Sequence, residues 1–334
     1  MMDVAEAAGV SLKTVSRVIN GQPHVRPQVV EKVQETVRIL GFVPNAAARS
    51  LAAAKSFMIG AFFENPSPYY IASLQAGAMA ACRGAGYHLV IEEVALSDPA
   101  KFAQFQSTLR TLRLDGAILS PPVCDSAAIL DCFEARGIPV VRISPFADPD
   151  RFPAVYSRDD DGAEQVARHL LNLGHRSIAY VGGPPNHMAA VLRRNGFLGE
   201  LSRHGIAPSS VEEVQGDFSF QSGFDAGVAL LGKEPHVTAI FAANDDMAAG
   251  VAAAAARLGI KIPEEVSLVG FDDSPVATLV WPPLTTIRQP IAEMSAAAAR
   301  MLMAGSAAAE PPSTFDVELV DRKSTGLNRE LVRS

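Results

Sequence analysis

Apolar positions in the first 40 residues recur at helical spacing and predict three short helices, at 3–8, 12–20 and 28–40. Gly9 ends the first helix, and Ser11 is a suitable N-cap for the second. Two helices joined by a short turn and followed by a third packing helix are typical of a helix-turn-helix unit. The polar face of its second helix is then free to enter a major groove.

Residues 44–56 follow as a short, alanine-rich segment that begins Pro44-Asn45. Isolated helices shorter than about 12–15 residues are marginal in water. We therefore predict a linker that becomes helical only when a partner stabilises it.

From residue 57 onward, short apolar runs alternate with amphipathic stretches. The predicted strands lie at 57–63, 87–93, 116–119, 138–143, 177–181, 239–241 and 266–269, and the predicted helices at 70–85, 101–112, 126–136, 189–204, 220–231 and 245–257. Nearly continuous apolar strands alternating with helices indicate a parallel sheet covered on both faces. This stretch is too long for one domain. The predicted fold class is α/β: an all-α headpiece and a two-lobed, doubly wound parallel-sheet body.

Composition narrows the class of protein. The chain has 334 residues, of which 48% are hydrophobic and 19% charged, enough apolar surface to argue against disorder. No apolar run reaches the ~18 residues of a membrane span, and no signal peptide is visible. The three cysteines form no CxxC pair, which argues against a disulfide framework or zinc site. We expect a cytoplasmic protein without a metal or cofactor.

The net charge of −7 conceals an asymmetry along the chain. Residues 1–55 contain seven basic and four acidic residues, and the acidic excess lies entirely in the remainder. A basic head on an acidic body is expected when only the head contacts a polyanion. Chance scatter is the alternative for an excess of this size.

Several motifs resemble the lactose-repressor (LacI) family of bacterial transcription regulators. The headpiece and hinge matches are DVAEAAGVS at 3–11, TVSRVIN at 14–20, LGFVPN at 40–45 and ARSL at 48–51. The body follows with DG at 115–116, LGHR at 173–176, Arg193 before GF at 196–197, ND at 244–245, GFDD at 270–273 and PLTTI at 283–287. The headpiece match is specific because it is long, whereas the body motifs carry weight only together.

The resemblance implies a DNA-binding headpiece at 1–43, a hinge at 44–56 and an effector-binding body at 57–334, similar to periplasmic sugar-binding proteins. Lobe 1 would comprise 57–157 and 288–312, and lobe 2 would comprise 158–287 and 313–328. The chain would cross between the lobes near 156–159, 287–289 and 310–314. The family works as homodimers or dimers of dimers on pseudo-palindromic operators, mostly as repressors. We expect a repressor, with an activator as the alternative.

Ten positions match DNA-contacting positions of the family: Leu12, Lys13, Thr14, Ser16, Arg17, Asn20, Asn45, Ala48, Arg49 and Leu51. Arg17 can donate two parallel hydrogen bonds to guanine O6 and N7. The hydroxyls of Thr14 and Ser16 suit phosphate. Leu12 either contacts a base or belongs to the core. Leu51 resembles the wedge that the family inserts into the minor groove, with an ordinary apolar linker residue as the alternative.

Eight positions are candidates for effector contact: Asn65, Tyr69, Tyr70, Asp161, Arg193, Phe218, Asn244 and Asp272. A carboxylate and a guanidinium together suit vicinal hydroxyls. The neighbouring Asp159 and Asp160 leave the register of Asp161 open. Phe218 matches an aromatic that stacks on a sugar or packs in the core, and at least one of the two tyrosines is expected to face the cleft. Trp281 is predicted to be a structural plug.

A mono- or disaccharide fits these groups better than a phosphorylated sugar, which needs more than one cation in the cleft. A purine is the alternative effector. An enzyme is disfavoured because no GxSxG, HExxH, Walker-type loop or strand-linked GxGxxG is present. A sugar-modifying enzyme remains a remote rival. A periplasmic binding protein is a closer one, but it would need an export signal and would have no headpiece.

Overall fold

The computed structural model describes residues 1–19, 25–42, 50, 53, 55–64, 67–95, 98–233, 237–305 and 313–328. It contains two compact units, Met1–Phe57 and Met58–Ser334. The first unit is helical and the second is built on parallel sheets, which confirms the predicted fold class.

The headpiece consists of α1 (Met2–Ala8), α2 (Leu12–Ile19) and α3 (Pro27–Ile39). Gly9 ends α1 in the left-handed region, with a φ of 61°. Ser11 Oγ accepts a hydrogen bond from the Thr14 amide at 3.2 Å, the N-cap that the sequence predicts. The small core contains four fully buried side chains, Val4, Ala8, Val15 and Val33.

Lobe 1 of the body is a parallel sheet in the order β11-β5-β4-β3-β1-β2. Its strands are β1 (Met58–Phe63), β2 (His88–Glu93), β3 (Gly116–Leu119), β4 (Val140–Ile143), β5 (Ala154–Ser157) and β11 (Ser313–Phe315). Its helices are α4 (Pro68–Gly84), α5 (Pro99–Thr111), α6 (Ala127–Glu134) and α12 (Ile291–Ala304). Every residue of β3 and β4 is buried, which explains why both strands are apolar except at Arg142 of β4.

Lobe 2 is a second parallel sheet, in the order β7-β6-β8-β9. Its strands are β6 (Ile178–Gly182), β7 (Glu212–Gln215), β8 (Ala239–Ala242) and β9 (Ser267–Val269). Its helices are α7 (Asp159–Asn172), α8 (Met188–Arg203), α9 (Phe220–Leu231), α10 (Asp245–Leu258) and α11 (Val276–Leu279). Tyr180, Phe197, Phe241 and Phe271 form a chain of aromatic contacts in its core. Within the described part of the chain, no helix has the length and apolar character of a membrane span.

The two lobes are joined by an antiparallel ladder of β10 (Thr286–Arg288) and β12 (Glu318–Val320). The chain passes from lobe 1 to lobe 2 between β5 and α7 and returns between β10 and α12, near the first two predicted crossings. The third prediction is wrong, because Ser313–Phe315 pairs with β5 in lobe 1 and the chain crosses only after Phe315. Residues 313–315 therefore do not belong to lobe 2. Three residues added to a sheet edge have too little pattern to reveal their lobe.

Trp281 is not the structural plug that the sequence predicts. Its side chain is 81% exposed, with Lys323 Nζ at 5.9 Å from its ring centroid. The prolines that follow it lead the chain into β10 without enclosing the indole.

Candidate functional site

Helix α2 carries five of the residues predicted to contact DNA: Leu12, Lys13, Thr14, Ser16 and Arg17. Leu12 is 49% exposed, so it lies outside the headpiece core. Lys13 and Arg17 are exposed too, and Val15 on the opposite side is fully buried. The helix thus buries Val15 and exposes Leu12, Lys13 and Arg17, whereas Thr14 and Ser16 are half-buried.

The remaining predicted DNA contacts lie outside the described residues. These are Asn20, Asn45, Ala48, Arg49 and Leu51. Their contacts with DNA, from Asn20 in the headpiece and from the four hinge residues, therefore stay predictions from the sequence.

In the body, the side chain of Arg193 on α8 is buried at the centre of a cleft between the two lobes. Its Nε donates to Asp159 Oδ1 at 2.7 Å, and its Nη1 donates to the carbonyl oxygen of Ala243 at 2.6 Å. Its Nη2 lies 3.5 Å from Asp272 Oδ1, and its guanidinium carbon lies 3.8 Å from the ring centroid of Phe271. A guanidinium held in this way offers donors at a fixed orientation.

Asp272 occupies a strained backbone position, with a φ of 112°. Its Oδ1 accepts a hydrogen bond from Gln289 Nε2 at 2.6 Å. Burial raises the pKa of Asp272 to about 7, although Arg193 and Gln289 act in the opposite direction. The carboxyl group is thus poised to change its charge near neutral pH.

The acidic residue at the start of α7 that lines the cleft is Asp159, and the prediction of Asp161 is wrong in register. Asp159 is buried and accepts hydrogen bonds from Arg193 and from the Ser157 hydroxyl. Asp161 is 45% exposed and accepts from Gln165 on its own helix at 3.0 Å. Two residues correspond to about 200° of helix rotation, which directs Asp161 away from the cleft.

Phe218 lines the cleft with a φ of 70°. Its ring packs so closely on Gly183 that a Cβ there would lie 2.2 Å from the Cζ of Phe218. The ring of His187 lies 5.1 Å from it, nearly perpendicular. Gly183 therefore determines how deep the Phe218 ring sits in the cleft.

His187 is a cleft residue that the sequence reasoning missed. Both ring nitrogens are buried and have no hydrogen-bond partner among the described residues. Burial, reinforced by Arg193, lowers the pKa of His187 to about 3, so the ring is neutral at physiological pH. A neutral imidazole offers one donor and one acceptor. Its position in the loop after β6, at the carboxyl end of a parallel strand, was the available signal.

Asn244 lines the cleft, but both its side-chain oxygen and its side-chain nitrogen are hydrogen-bonded to other protein groups. Its Oδ1 accepts from the Met247 amide at 2.9 Å, which caps α10, and its Nδ2 donates to the Phe218 carbonyl oxygen at 2.9 Å. These bonds hold the Phe218 loop against α10. Asn244 thus positions the aromatic ring, whatever contact it makes with a ligand.

Of the two predicted tyrosines, Tyr70 lines the cleft and Tyr69 lines a separate groove beside Arg288. Burial raises the pKa of Tyr70 well above its ordinary value, and the carboxylates of Asp159 and Asp272 add to this effect. Asn65 lies outside the described residues.

The cleft is closed in this structure. Its free volume is about 30 Å³, close to the space of two water molecules. Burial raises the pKa of Asp246 in lobe 2 and the hydroxyl of Ser67 in lobe 1 acts in the opposite direction, so these two polar side chains lie close to each other across the lobes. The complete lining is Ser67, Tyr70, Ser144, Ser157, Asp159, His187, Ala189, Arg193, Phe218, Asn244, Asp272, Gln289 and Met294. Such a set can bind a small polar molecule, and no group of metal-ligating side chains is found among the described residues.

Comparison with known proteins identifies both the headpiece and the body. The family model "Bacterial regulatory proteins, lacI family" matches residues 1–45, and a periplasmic binding protein-like domain matches residues 167–325. The lactose operon repressor of Escherichia coli (strain K12) is 31% identical over 327 residues, covering 97% of this chain and 90% of the relative.

Two solved structures extend the likeness to the whole fold. The lac repressor dimer bound to operator and the anti-inducer ONPF superimposes with a TM-score of 0.78, 30% identity, and coverage of 97% of this chain and 98% of that one. The complex of the transcriptional regulator CelR with cellobiose gives a TM-score of 0.73, 28% identity, and coverage of 96% and 98%. From its headpiece, its cleft and this identity along nearly its full length, the chain belongs to the lacI family of bacterial regulatory proteins and is a DNA-binding transcription regulator.

Proposed function

We propose that the protein is a repressor whose affinity for operator DNA is controlled by a small neutral sugar bound between the two lobes. The observation that carries the proposal is the buried set of Arg193, Asp159 and Asp272, with the unpartnered imidazole of His187 beside it. Carboxylates accept from hydroxyls and a guanidinium donates to them. Two carboxylates beside one guanidinium disfavour a phosphorylated ligand.

The ring of Phe218 supplies an apolar wall, which suits the carbon face of a sugar ring. The relatives support a sugar, since one is named for the lactose operon and another was solved with cellobiose. A purine is the competing effector. It would need the same groups to match a planar ring system.

On DNA, we propose a homodimer in which two copies of α2 read the half-sites of a pseudo-palindromic operator. The lac repressor dimer on its operator is the solved precedent. Exposed Lys13 and Arg17 contact the duplex, so binding should weaken steeply with salt. Since transcription regulators act on chromosomal DNA, we place the protein in the cytoplasm.

Ligand reaches the DNA through the angle between the lobes. The closed cleft has far less room than the ~300 Å³ at which ligand pockets begin, so a sugar must separate the lobes. The hinge at 44–56 precedes β1 of lobe 1, and in a dimer a change in lobe angle alters the spacing of two such hinges. A conditional hinge helix then forms or melts.

The test has two arms on the full-length protein. Calorimetric titration with ribose, glucose, galactose, lactose, adenine, guanine and hypoxanthine identifies the effector class. Arg193→Ala should abolish the response to the effector while leaving operator binding in its absence. Loss of one buried hydrogen-bonded partner costs about 1–3 kcal/mol, one to two decades of affinity.

The second arm separates the two modules. Deletion of residues 1–55 should abolish operator binding and leave sugar affinity unchanged. If a purine binds and no sugar does, the effector assignment is wrong and the regulator assignment stands. If Arg193→Ala titrates like the wild type, the cleft is not the effector site.

A further inference from the structure

The loop that carries Asp272 has an unusual backbone conformation. Residues 270–275 lead from β9 to α11, and Asp272 and Asp273 both have a positive φ, of 112° and 52°. Residues other than glycine adopt such values rarely, and they persist only where the surrounding structure holds them. From this loop the Asp272 carboxyl group comes within 3.5 Å of Arg193 in the cleft. The position of this carboxyl group therefore depends on contacts made from outside the loop.

Asp245, the first residue of α10, supplies these contacts. Its side chain is fully buried, and it is not among the residues that line the cleft. Its Oδ2 accepts a hydrogen bond from the Ser274 amide at 2.7 Å, and its Oδ1 accepts one from the Thr286 hydroxyl at 2.6 Å. Ser274 belongs to the loop, and Thr286 is the first residue of β10. One carboxyl group thus ties the loop to the strand that leads the chain back to lobe 1.

Backbone contacts join the same elements. The Asp245 amide donates to the Phe271 carbonyl oxygen at 2.8 Å, and the Asp272 amide donates to the Ile287 carbonyl oxygen at 2.8 Å. At Gly270, a Cβ would lie 2.1 Å from Asp245 Oδ1, so the carboxyl group fills the space of a side chain there. Asp245 therefore contacts the loop on both sides of Asp272 and fixes the residue between them.

An acid at this position is unfavourable for the fold. Burial, reinforced by the nearby charge of Asp272, raises the pKa of Asp245 well above its ordinary value. Two carboxyl groups buried close together weaken the fold, so an acid is not the residue expected here if stability alone were served. Local conflicts of this kind are expected at functional sites.

We propose that Asp245 is a positioning residue of the effector site. It holds the Asp272 carboxyl group in the orientation that receives a hydroxyl of the ligand, and it ties this orientation to the crossing strand β10. Asp245 acts through the loop and does not itself touch the ligand. The proposal rests on the effector site proposed above and deepens it.

The test is a double-mutant cycle on the full-length protein. Ribose, glucose, galactose, lactose, adenine and hypoxanthine are titrated calorimetrically, and the probe that binds most tightly is carried through the cycle. Asp245→Ala should weaken its binding by about tenfold, the loss expected when a buried hydrogen-bonding group is removed. In the Asp272→Ala background the same substitution should change the affinity by less than about twofold, because no carboxyl group remains to be positioned.

Further variants separate positioning from general stability. Asp245→Asn should recover most of the affinity, since its side-chain oxygen and nitrogen can replace both bonds. Thr286→Val, which removes the hydroxyl that bonds to Asp245, should weaken binding in the wild type and add little to Asp245→Ala. The control is Glu200→Ala on α8, a buried acid whose bonds to Arg168 and Arg203 lie outside the cleft. It should lower the melting temperature and leave the affinity unchanged.

The outcomes separate this proposal from the proposed effector. An equal loss of affinity in both backgrounds, or no loss in the wild type, would mean that Asp245 does not act through Asp272, while the effector site stands. Should Asp245→Ala fail to fold, Thr286→Val takes its place in the cycle. If a purine binds and no sugar does, the sugar effector is wrong and the purine completes the cycle. If none of the probes binds, the effector site is wrong and the positioning role falls with it.

Discussion

At the residue scale, burial in the cleft displaces the pKa values of two side chains in opposite directions. The pKa of His187 falls to about 3 and that of Asp272 rises to about 7. The unfolded chain protonates His187 near pH 6.5, so between pH 3 and 6.5 the unfolded state binds more protons. The contribution of His187 to the free energy of unfolding is therefore lost as the pH falls below 6.5. For Asp272 the native state binds more protons between about pH 4 and 7, and stability is lost as the pH rises.

We predict that His187→Gln makes the free energy of unfolding depend less steeply on pH below pH 6.5. Between pH 6.5 and 4.5, the free energy of unfolding of the wild type should fall by about 2–3 kcal/mol more than that of the variant, because each pH unit contributes about 1.36 kcal/mol. The contribution of Asp272 is common to both proteins and cancels in the difference. Denaturant unfolding at each pH measures the effect. His88→Gln, on the exposed side of β2, is the control, and parallel profiles of wild type and His187→Gln would contradict the prediction.

The second prediction at the residue scale concerns the charge of the buried Asp272 carboxyl group, whose pKa is about 7. Asp272→Asn keeps the shape and an acceptor for Gln289 but cannot ionise. It tolerates the same backbone region. We expect sugar affinity in the wild type to vary between pH 6 and 8 and sugar affinity in Asp272→Asn to stay constant. Equal pH dependence of the two titrations would show that Asp272 does not change its charge during binding.

At the scale of elements, the sequence predicts that the hinge at 44–56 is a helix of marginal stability that depends on its surroundings. Its sequence is too short to be helical alone, and in the family it pairs with its twin on the DNA. The recognition helix α2 differs, because the buried side chain of Val15 anchors it in the headpiece core. We therefore expect the control of DNA affinity to lie in the hinge.

We predict that Ala47→Gly with Ala48→Gly weakens operator binding by about 1 kcal/mol per substitution through lost helix propensity. Sugar affinity without DNA should not change. The control is Ala256→Gly, which makes the same substitution at an exposed position of α10 in the body. Fluorescence anisotropy with labelled operator measures both. Undiminished operator affinity of the double-glycine variant would mean that the hinge is only a tether.

At the scale of the whole molecule, we propose that the two lobes form a two-state element whose equilibrium both ligands bias. The ladder of β10 with β12 joins the lobes, and the Ser67 hydroxyl and the Asp246 carboxylate lie close to each other across them. Since sugar and operator act on one equilibrium, each changes the affinity of the other by the same factor.

We predict that Asp246→Ala imitates the sugar, because it removes the polar interaction of Asp246 with Ser67 across the two lobes. Sugar affinity should rise by about fivefold, the equivalent of a hydrogen bond of about 1 kcal/mol. Operator affinity without sugar should shift in the direction that sugar produces in the wild type. Asp225→Ala, an exposed acid on α9 that bonds to Gln221, should change neither. An opposite shift of operator affinity would contradict the coupling through lobe closure.

The sequence by itself determined the elements whose evidence is local. The headpiece helices, most strands of both sheets and the position of Arg193 follow from spacing, capping residues and motif order. Other elements could not be predicted from the sequence, for different reasons. The strand Ser313–Phe315 is too short to show a period, and α7 begins with three aspartates that resemble a loop.

Only the tertiary structure decided how side chains converge. It placed Asp159 in the cleft and turned Asp161 to solvent, because helix rotation separates neighbours that the sequence cannot rank. It left the nitrogens of His187 without partners, because burial depends on the closure of two lobes distant in the chain. Which polar atom remains unsatisfied depends on every neighbour in space. Local sequence determines elements, whereas the free donors and acceptors of a site are determined by the complete packing.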